Sequence, residues 1–131
     1  MKTLAYLTAP LALAALAGCN AYGSNEKSAP ISKAPAAKVV GAAEDCISIA
    51  GLRSTVHDDR TIDFEVGSRT WRNTLPYKCS SLGFEKAFTY QTSLTRLCST
   101  DIIYVLRSTG GQLDRGAGCG LGQFVPIEYV K

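Results

Sequence analysis

The stretch Thr61-Ile62-Asp63-Phe64-Glu65-Val66-Gly67-Ser68-Arg69 alternates apolar and polar side chains and ends in a turn signal. In an extended chain its apolar residues share one face and its polar residues share the other, which predicts a strand with one buried and one solvated face. Gly67-Ser68 is typical of a two-residue hairpin turn, because glycine accepts a positive φ without steric cost. The stretch therefore predicts a β-hairpin, with a second strand over residues 69–75.

Side-chain pairing across this hairpin supports one register. A two-residue turn places Trp71 opposite Phe64 and Arg72 opposite Asp63. The first pair is aromatic and lies on the inner face, whereas the second is an ion pair on the outer face. A slip of one residue would exchange the faces, so both pairs favour the same register.

Residues upstream of the hairpin extend it into a meander. Residues 52–56 form a plausible strand, and placing its apolar residues on the core face pairs Val56 with Ile62. The loop is then Asp58-Asp59-Arg60, and aspartate is tolerated in the left-handed conformation that such loops need. His57 points outward in this register, near the loop tip.

Downstream, further strands are predicted over residues 87–92 and 102–106. The second is a continuous run of apolar residues, which favours a central strand covered on both faces. Residues 108–122 are rich in glycine and indicate a loop. Residues 124–130 predict a last strand, which Pro126 marks as an edge strand or a bulge. The predicted class is all-β: a small antiparallel barrel or rolled sheet of five to six strands, stapled by disulfides.

Five cysteines divide into one near the N-terminus, Cys19, and four in the C-terminal part of the chain. An even number in a small exported domain predicts two disulfides, and four cysteines allow three pairings. Pairing Cys79 with Cys98 and Cys46 with Cys119 is favoured, because the inner bridge would clamp a strand pair and the outer bridge would join the ends. The other pairings stay open.

The N-terminus has the organisation of an export signal. Lys2 is followed by an apolar run, residues 4–17, that is shorter than the ~20 residues needed to span a bilayer. The run ends in Leu16-Ala17-Gly18-Cys19, which resembles the lipobox of bacterial lipoproteins. The resemblance implies that residues 1–18 are a signal peptide and that Cys19 becomes the lipidated N-terminus. It also implies a cell-envelope location, and Asn20 in place of aspartate favours the periplasmic face of the outer membrane.

Composition then separates a tether from a domain. Residues 19–45 are rich in Ala, Ser, Pro, Gly and Lys and have few large apolar side chains. Such a segment buries too little apolar surface to offset its chain entropy, which predicts a flexible tether behind the lipidated cysteine. Residues 46–131 are the predicted disulfide-stapled β-domain.

Several phrases within the domain together resemble a family of small exported proteins of Gram-negative bacteria described as a domain of unknown function. The resemblance covers roughly residues 46–127 and implies compartment and domain boundaries. It assigns no catalytic or binding residue. The phrases are Asp58-Asp59-Arg60-Thr61-Ile62, Arg72-Asn73-Thr74-Leu75-Pro76, Cys79 with Leu82-Gly83-Phe84, Leu97-Cys98 with Asp101-Ile102-Ile103, and Cys119-Gly120-Leu121-Gly122 with Phe124-Val125-Pro126.

Side chains that could carry chemistry are few. His57-Asp58-Asp59 are three adjacent residues of a loop, which cannot all converge on one metal ion. A serine hydrolase would need the same His57 as its base, and no Gly-x-Ser-x-Gly occurs. Asp63 and Glu65 share the solvated face of one strand, with no apolar pocket to raise the pKa of either. No catalytic residue, metal site or cofactor is predicted.

The glycine run Gly116-x-Gly118-x-Gly120-x-Gly122 superficially resembles a phosphate-binding loop. A phosphate loop opens onto a helix N-terminus, whereas this run leads into a predicted strand. It is interpreted as a loop bent around a disulfide at Cys119.

Charge completes the functional prediction. Without Lys2 the chain has 13 basic and 11 acidic residues, a net charge of +2 (14 − 1 − 11), which is too mild to indicate nucleic-acid binding. Arg53, Arg69, Arg72 and Trp71 form a candidate ligand surface. The predicted function is a non-enzymatic, membrane-anchored envelope module that binds a protein or polymer. One alternative is a small periplasmic enzyme that acts on a cell-wall or lipid substrate through His57 and nearby carboxylates. The other is an inhibitor of a host or competitor hydrolase.

Overall fold

The computed structural model describes residues 31–92 and 94–131. Within them the regular secondary structure consists of antiparallel strands and one short helix, as predicted for an all-β chain. Three sheets form, and their strand orders are β1-β10-β5-β4-β3, β2-β7 and β6-β8-β9. The elements are β1 (Ala37–Val39), β2 (Cys46–Ser48), β3 (Arg53–Val56), β4 (Thr61–Val66), β5 (Arg69–Thr74), α1 (Leu82–Glu85), β6 (Phe88–Tyr90), β7 (Arg96–Cys98), β8 (Ile102–Thr109), β9 (Gln112–Gly120) and β10 (Phe124–Tyr129).

These sheets differ in two ways from the predicted barrel or rolled sheet of five to six strands. The described residues contain ten strands, and none of the sheets closes on itself. Four of the strands, β1, β2, β6 and β7, have only three residues each. The sequence pattern misses β1, β2 and β7, because three residues are too few to show a period of two, whereas β6 lies within the strand predicted over residues 87–92.

The predicted hairpin and its register are confirmed. β4 and β5 pair with Phe64 opposite Trp71 and Asp63 opposite Arg72, and Gly67 in the turn has a φ of 61°. On the other side of β4, Val56 of β3 pairs with Ile62, as predicted. Local turn chemistry and side-chain alternation were therefore sufficient to place these three strands.

The core lies on the inner face of this hairpin. Phe64 is fully buried and makes edge-to-face contacts with Phe124 of β10, at 5.4 Å between ring centroids, and with Phe88 of β6, at 6.1 Å. Ile103 and Val105 of β8 are also fully buried in the same cluster. One continuous core thus joins the five-stranded and three-stranded sheets, and such aromatic pairs stabilise it beyond their area burial.

The strand over residues 102–106 is central, as predicted, but it is not covered on both faces. β8 lies between β6 and β9, and its side chains alternate between buried and partly exposed. The face that carries Tyr104 remains open. Its apolar residues reflect cross-strand contacts rather than burial on both sides.

The glycine run is a strand and not the predicted loop. Residues 112–120 form β9, which pairs along β8 with a bulge next to Tyr104. A Cβ on Gly118 would lie 2.9 Å from the ring of Tyr104, and a Cβ on Gly116 would lie 3.2 Å from the carbonyl oxygen of Val105. Gly118 thus makes room for the ring of the cross-strand Tyr104, and Gly116 makes room for the backbone of Val105 and the side chain of Arg107.

Pro126 lies inside the five-stranded sheet, between β1 and β5, and so the edge-strand prediction is wrong. The carbonyl oxygen of Pro126 accepts a hydrogen bond from the Val40 amide, just after β1. The nitrogen of Pro126 points to the same side of β10, towards the segment that contains Val40. Pairing on that side resumes only at Glu44, which bridges to Phe124. The missing donor of Pro126 therefore faces an interruption in the ladder.

Both disulfides predicted from the cysteine count are present, but the favoured pairing is wrong. The bridges join Cys46 to Cys98 and Cys79 to Cys119. Cys46 lies directly opposite Cys98 in the β2–β7 ladder. Because β2 and β7 were not predicted, their pairing could not guide the choice.

The predicted boundary between tether and domain at residue 46 also needs correction. Residues 37–39 form β1, which pairs with β10, and Glu44 bridges to Phe124. A three-residue strand gains its stability from the ladder of its neighbour, which composition alone does not reveal. The rest of the predicted tether before residue 31, with Cys19 and the predicted signal peptide, lies outside the described residues.

Gly122 provides a stability test of the connection between β9 and β10. A Cβ at this position would lie 2.3 Å from the carbonyl oxygen of Thr74, a backbone atom that cannot rotate away. Gly122→Ala is expected to lower the free energy of unfolding by about 1–3 kcal/mol, measured by urea denaturation. Gly120→Ala is the control, because its Cβ meets nothing within 4 Å. Equal losses in the two variants would contradict the prediction.

Candidate functional site

The polar face of the hairpin contains a fully buried carboxylate. The side chain of Asp63 has 0% exposure, in contrast to the predicted solvated position. It accepts hydrogen bonds from Arg72 Nε at 2.8 Å and Nη2 at 2.9 Å and from the Tyr129 hydroxyl at 2.8 Å. His57 Nε2 lies 2.9 Å from its Oδ2. Three side chains from three strand or loop segments thus converge on one acid.

The segment formed by residues 32–39, which we term the N-terminal strap, covers this face. Arg72 Nη2 donates to the carbonyl oxygen of Pro35 at 2.9 Å, and the hydroxyl of Ser32 lies 3.0 Å from that of Thr61. β1, at the end of the strap, places Ala37 opposite Tyr129. The strap therefore shields Asp63 from solvent, although it belongs to the predicted tether.

The ionisation of the cluster follows from these contacts. Burial by itself raises the pKa of Asp63, but hydrogen bonds from Arg72, Tyr129 and His57 outweigh it and leave the pKa below its usual value. The hydrogen bond to Asp63 raises the pKa of Arg72. Burial and the hydrogen bond to Asp63 raise the pKa of Tyr129 to about 12. The cluster is thus a carboxylate paired directly with a guanidinium, with a neutral phenol that donates to the carboxylate.

Tyr129 predicts a loss of stability at high pH. The pKa of Tyr129 is about 12 in the folded protein and 10.0 ordinarily. Its contribution to the free energy of unfolding is therefore complete below pH 10 and is lost as the pH rises through 12. The difference in free energy of unfolding between the wild type and Tyr129→Phe should therefore shrink over this range. Urea denaturation at pH 8, 10 and 11.5 measures it. Tyr77→Phe is the control, since that side chain is 83% exposed and its difference should stay constant.

The loop residues His57, Asp58 and Asp59 point to different partners. His57 was predicted to point outward, and it does lie on the outer face, but the ring is only 12% exposed because it contacts Asp63. Asp58 accepts hydrogen bonds from the Arg60 amide at 2.8 Å and the Lys33 amide at 3.0 Å. Asp59 accepts one from the Gly83 amide at 2.7 Å. In the described residues no group of three His, Cys, Asp or Glu is arranged to hold a metal ion.

Next to this loop opens a cleft of about 950 Å³. Its walls come from the start of the strap, the β3–β4 loop, the end of β5 and the region around α1. Five of its lining residues are cationic and two are carboxylates, with His57, Phe84 and Ile31 among the others. The cations are Lys33, Arg60, Arg72, Lys78 and Lys86, and the carboxylates are Asp58 and Asp59.

Apart from Arg72, which is paired with Asp63, the cations of the cleft fall into two groups. Arg60 donates to the carbonyl oxygens of Leu75 and Pro76 at 3.1 Å each, and Lys86 donates to that of Val56 at 3.1 Å. Because backbone carbonyls hold them, their charges keep fixed positions. Lys33 and Lys78 are exposed instead, and Lys78 Nζ lies 3.6 Å from Asp59. The cleft thus combines fixed charges with mobile ones that can reach a ligand.

The candidate surface predicted from Arg53, Arg69, Arg72 and Trp71 is not one surface. Arg72 and Arg53 lie on the outer face of the hairpin, where Arg53 pairs with Glu65 at 3.0 Å. Arg69 and Trp71 lie on the other face. There the Arg69 guanidinium stacks 4.6 Å from the indole centroid, and the indole N–H donates to Glu44. Only Arg72 lines the cleft.

Comparison of the chain with protein-family models, with curated proteins and with solved structures finds no match. In the described part of the chain, no helix has the length and hydropathy that crossing a bilayer requires. The cleft and the Asp63 cluster are therefore interpreted from their own chemistry.

Proposed function

We propose that the chain is a lipid-anchored lipoprotein of the bacterial cell envelope, on the periplasmic face of the outer membrane, and that its β-domain is a non-enzymatic binding module. The observation that supports binding is the cleft, where four cations face two carboxylates, since the charge of the fifth cation, Arg72, is paired with Asp63. An excess of fixed and mobile positive charge favours an anionic ligand and speeds its encounter. The ligand is thus an anionic component of the envelope.

Anchoring rests on Cys19 and the three residues before it. A diacylated cysteine holds a protein on a bilayer stably, because each buried methylene contributes about 0.8 kcal/mol. We expect the wild type to incorporate labelled fatty acid and to fractionate with membranes, whereas Cys19→Ala should lose the label. Asn20→Ala is the matched control and should keep it. A Cys19→Ala variant that still fractionates wholly with membranes would overturn the proposed anchor.

Crosslinking in living cells tests the binding role. A photoreactive amino acid at position 78 lies at the cleft, whereas one at position 113 lies on β9 outside its lining. We expect a defined adduct with an envelope component from position 78 and none from position 113. The absence of any adduct at 78, or the same adduct from both positions, would contradict binding at the cleft.

A second candidate function is supported by the contact between His57 and Asp63. A carboxylate that orients a histidine supplies two of the three groups of a hydrolase triad, and His57 also lines the cleft. A small periplasmic hydrolase would use His57 as the base. Its test is His57→Ala, which should abolish hydrolysis of an envelope substrate. An unchanged activity in that variant contradicts the hydrolase.

A further inference from the structure

Two large apolar side chains project at the mouth of the cleft. Ile31 is 96% exposed and Phe84 is 86% exposed, and both line the cleft with the exposed Lys33 and Lys78. Large apolar residues beside lysines are typical of surfaces that lie in the interface of an anionic bilayer, where the apolar groups enter the headgroup region and the lysines contact phosphates. A soluble polyanion would be recognised by the charges and would leave Ile31 and Phe84 in water.

Chain length places this mouth near the proposed anchor. Ile31 follows Cys19 by 12 residues (31 − 19), and 12 residues span at most about 43 Å even when fully extended. A site held this close to a membrane meets the headgroups at a high effective concentration, so weak contacts suffice. The two exposed apolar side chains and the short connection to Cys19 thus both favour a membrane surface as the ligand of the cleft.

We infer that the mouth of the cleft docks on anionic phospholipid headgroups of the membrane that holds Cys19, with Lys33 and Lys78 on the phosphates and Ile31 and Phe84 in the interface. This inference rests on the proposed anchoring. It goes further in naming the ligand class and in giving the domain a fixed orientation, with the start of the strap towards the membrane.

Quenching of tryptophan fluorescence by brominated lipids tests the docking. The full chain carrying Phe84→Trp is purified from membranes and reconstituted in vesicles of phosphatidylcholine, with or without 30% phosphatidylglycerol, all with brominated acyl chains. Trp71 is buried and serves as the internal reference. Strong quenching at position 84 is expected in the anionic vesicles and weak quenching in the neutral ones.

Charge variants connect the quenching to the cleft. Each basic residue close to an anionic surface contributes roughly fivefold to partitioning, so Lys33→Glu with Lys78→Glu should reduce the equilibrium constant for docking by about 25-fold or more. Lys38→Glu with Lys131→Glu changes the net charge equally at exposed lysines outside the cleft and should preserve the docking. Circular dichroism of each variant confirms that it is folded.

Other results would overturn the inference. Equal quenching in neutral and anionic vesicles, or equal quenching in the two double variants, excludes headgroup recognition by the cleft. Release of the docked state by a soluble anionic glycan, but not by dihexanoyl phosphatidylglycerol, would assign the cleft to a polymer instead. If the purified chain carries no lipid on Cys19, only the proposed anchor is contradicted. The docking inference is then tested separately, by adding that chain to the vesicles and measuring quenching at position 84.

Discussion

Replacing Asp63 with alanine is expected to lower the free energy of unfolding by about 3–5 kcal/mol, the loss typical when one partner of a buried ion pair is removed. Arg72 would keep its charge under the strap, and its guanidinium would lose two hydrogen bonds, at 2.8 and 2.9 Å. His57 and Tyr129 would lose their common partner as well. Because small domains have a total stability of about 5–15 kcal/mol, the variant should be close to unfolding.

Glu65→Ala is the matched control for this prediction. Glu65 is a carboxylate on the same strand and the same face, and it pairs with Arg53 at 3.0 Å. The Arg53 side chain is 74% exposed, however, so this pair is worth at most about 1 kcal/mol. Urea denaturation of both variants at pH 7 gives the comparison. Similar losses in the two would mean that Asp63 contributes no more than a surface ion pair.

Acid unfolding provides an independent measure of the same cluster. The pKa of Asp63 is lowered in the folded state, so its stabilising effect is complete above its unfolded pKa, about 3.9, and is lost as the pH falls through the folded value. The difference in free energy of unfolding between the wild type and Asp63→Asn should therefore narrow below about pH 4. A difference that stays constant from pH 7 to pH 3 would show that the charge of Asp63 is not what stabilises the fold.

Asp63 also shows where sequence reasoning succeeds and where it ends. Its pairing with Arg72 was predictable, because a turn and two alternating strands determine register locally. Its burial was not, since the groups that cover it are distant in the sequence: Pro35 is 37 residues from Arg72, and Tyr129 is 66 residues from Asp63. The alternation of a strand separates its two faces without revealing which of them stays in solvent.

The candidate site was predictable only in part for the same reason. His57 and Arg72 were both named from the sequence, but for separate roles. The cleft joins them with the start of the strap and with Lys78 and Phe84, and these segments meet only through the fold. Composition marked the strap as unstructured, because its few apolar residues give no pattern. Its contacts are instead backbone pairing with β10 and hydrogen bonds to side chains of the hairpin.

The disulfides illustrate a different limit, because their number follows from composition, whereas their pairing follows from topology. Cys79 precedes α1, and Cys119 lies on β9 opposite Ile103 of β8. The bridge between them therefore joins the α1 region, which forms one wall of the cleft, to the three-stranded sheet. Cys46 and Cys98 instead join two neighbouring short strands, β2 and β7.

Removing the Cys79–Cys119 bridge by replacing both cysteines with alanine should lower the free energy of unfolding by at least about 4 kcal/mol, a loss as large as that expected for Asp63→Ala. The bridge spans 40 residues and the Cys46–Cys98 bridge spans 52, so the chain-entropy model assigns each a similar contribution of about 4 kcal/mol. Their burial differs. Cys79 is fully buried in the core, whereas Cys46 and Cys98 are both partly exposed. The Cys79–Cys119 variant therefore loses core packing in addition to the loop constraint, and it should be the less stable of the two.

Urea denaturation of both double variants under non-oxidising conditions measures this difference, and the Cys46→Ala, Cys98→Ala protein is the reference. Both variants should have a larger m-value, the slope of the unfolding free energy against urea concentration, than the wild type. The reason is that the unfolded chain expands when a bridge is lost. When each is combined with Phe84→Trp, only the Cys79→Ala, Cys119→Ala variant should also lose quenching in anionic brominated vesicles, because α1 carries position 84. If the reference variant proved the less stable, the loop constraint rather than the packing of Cys79 would dominate. Quenching retained in the Cys79→Ala, Cys119→Ala variant would mean that the bridge does not hold the wall of the cleft in place.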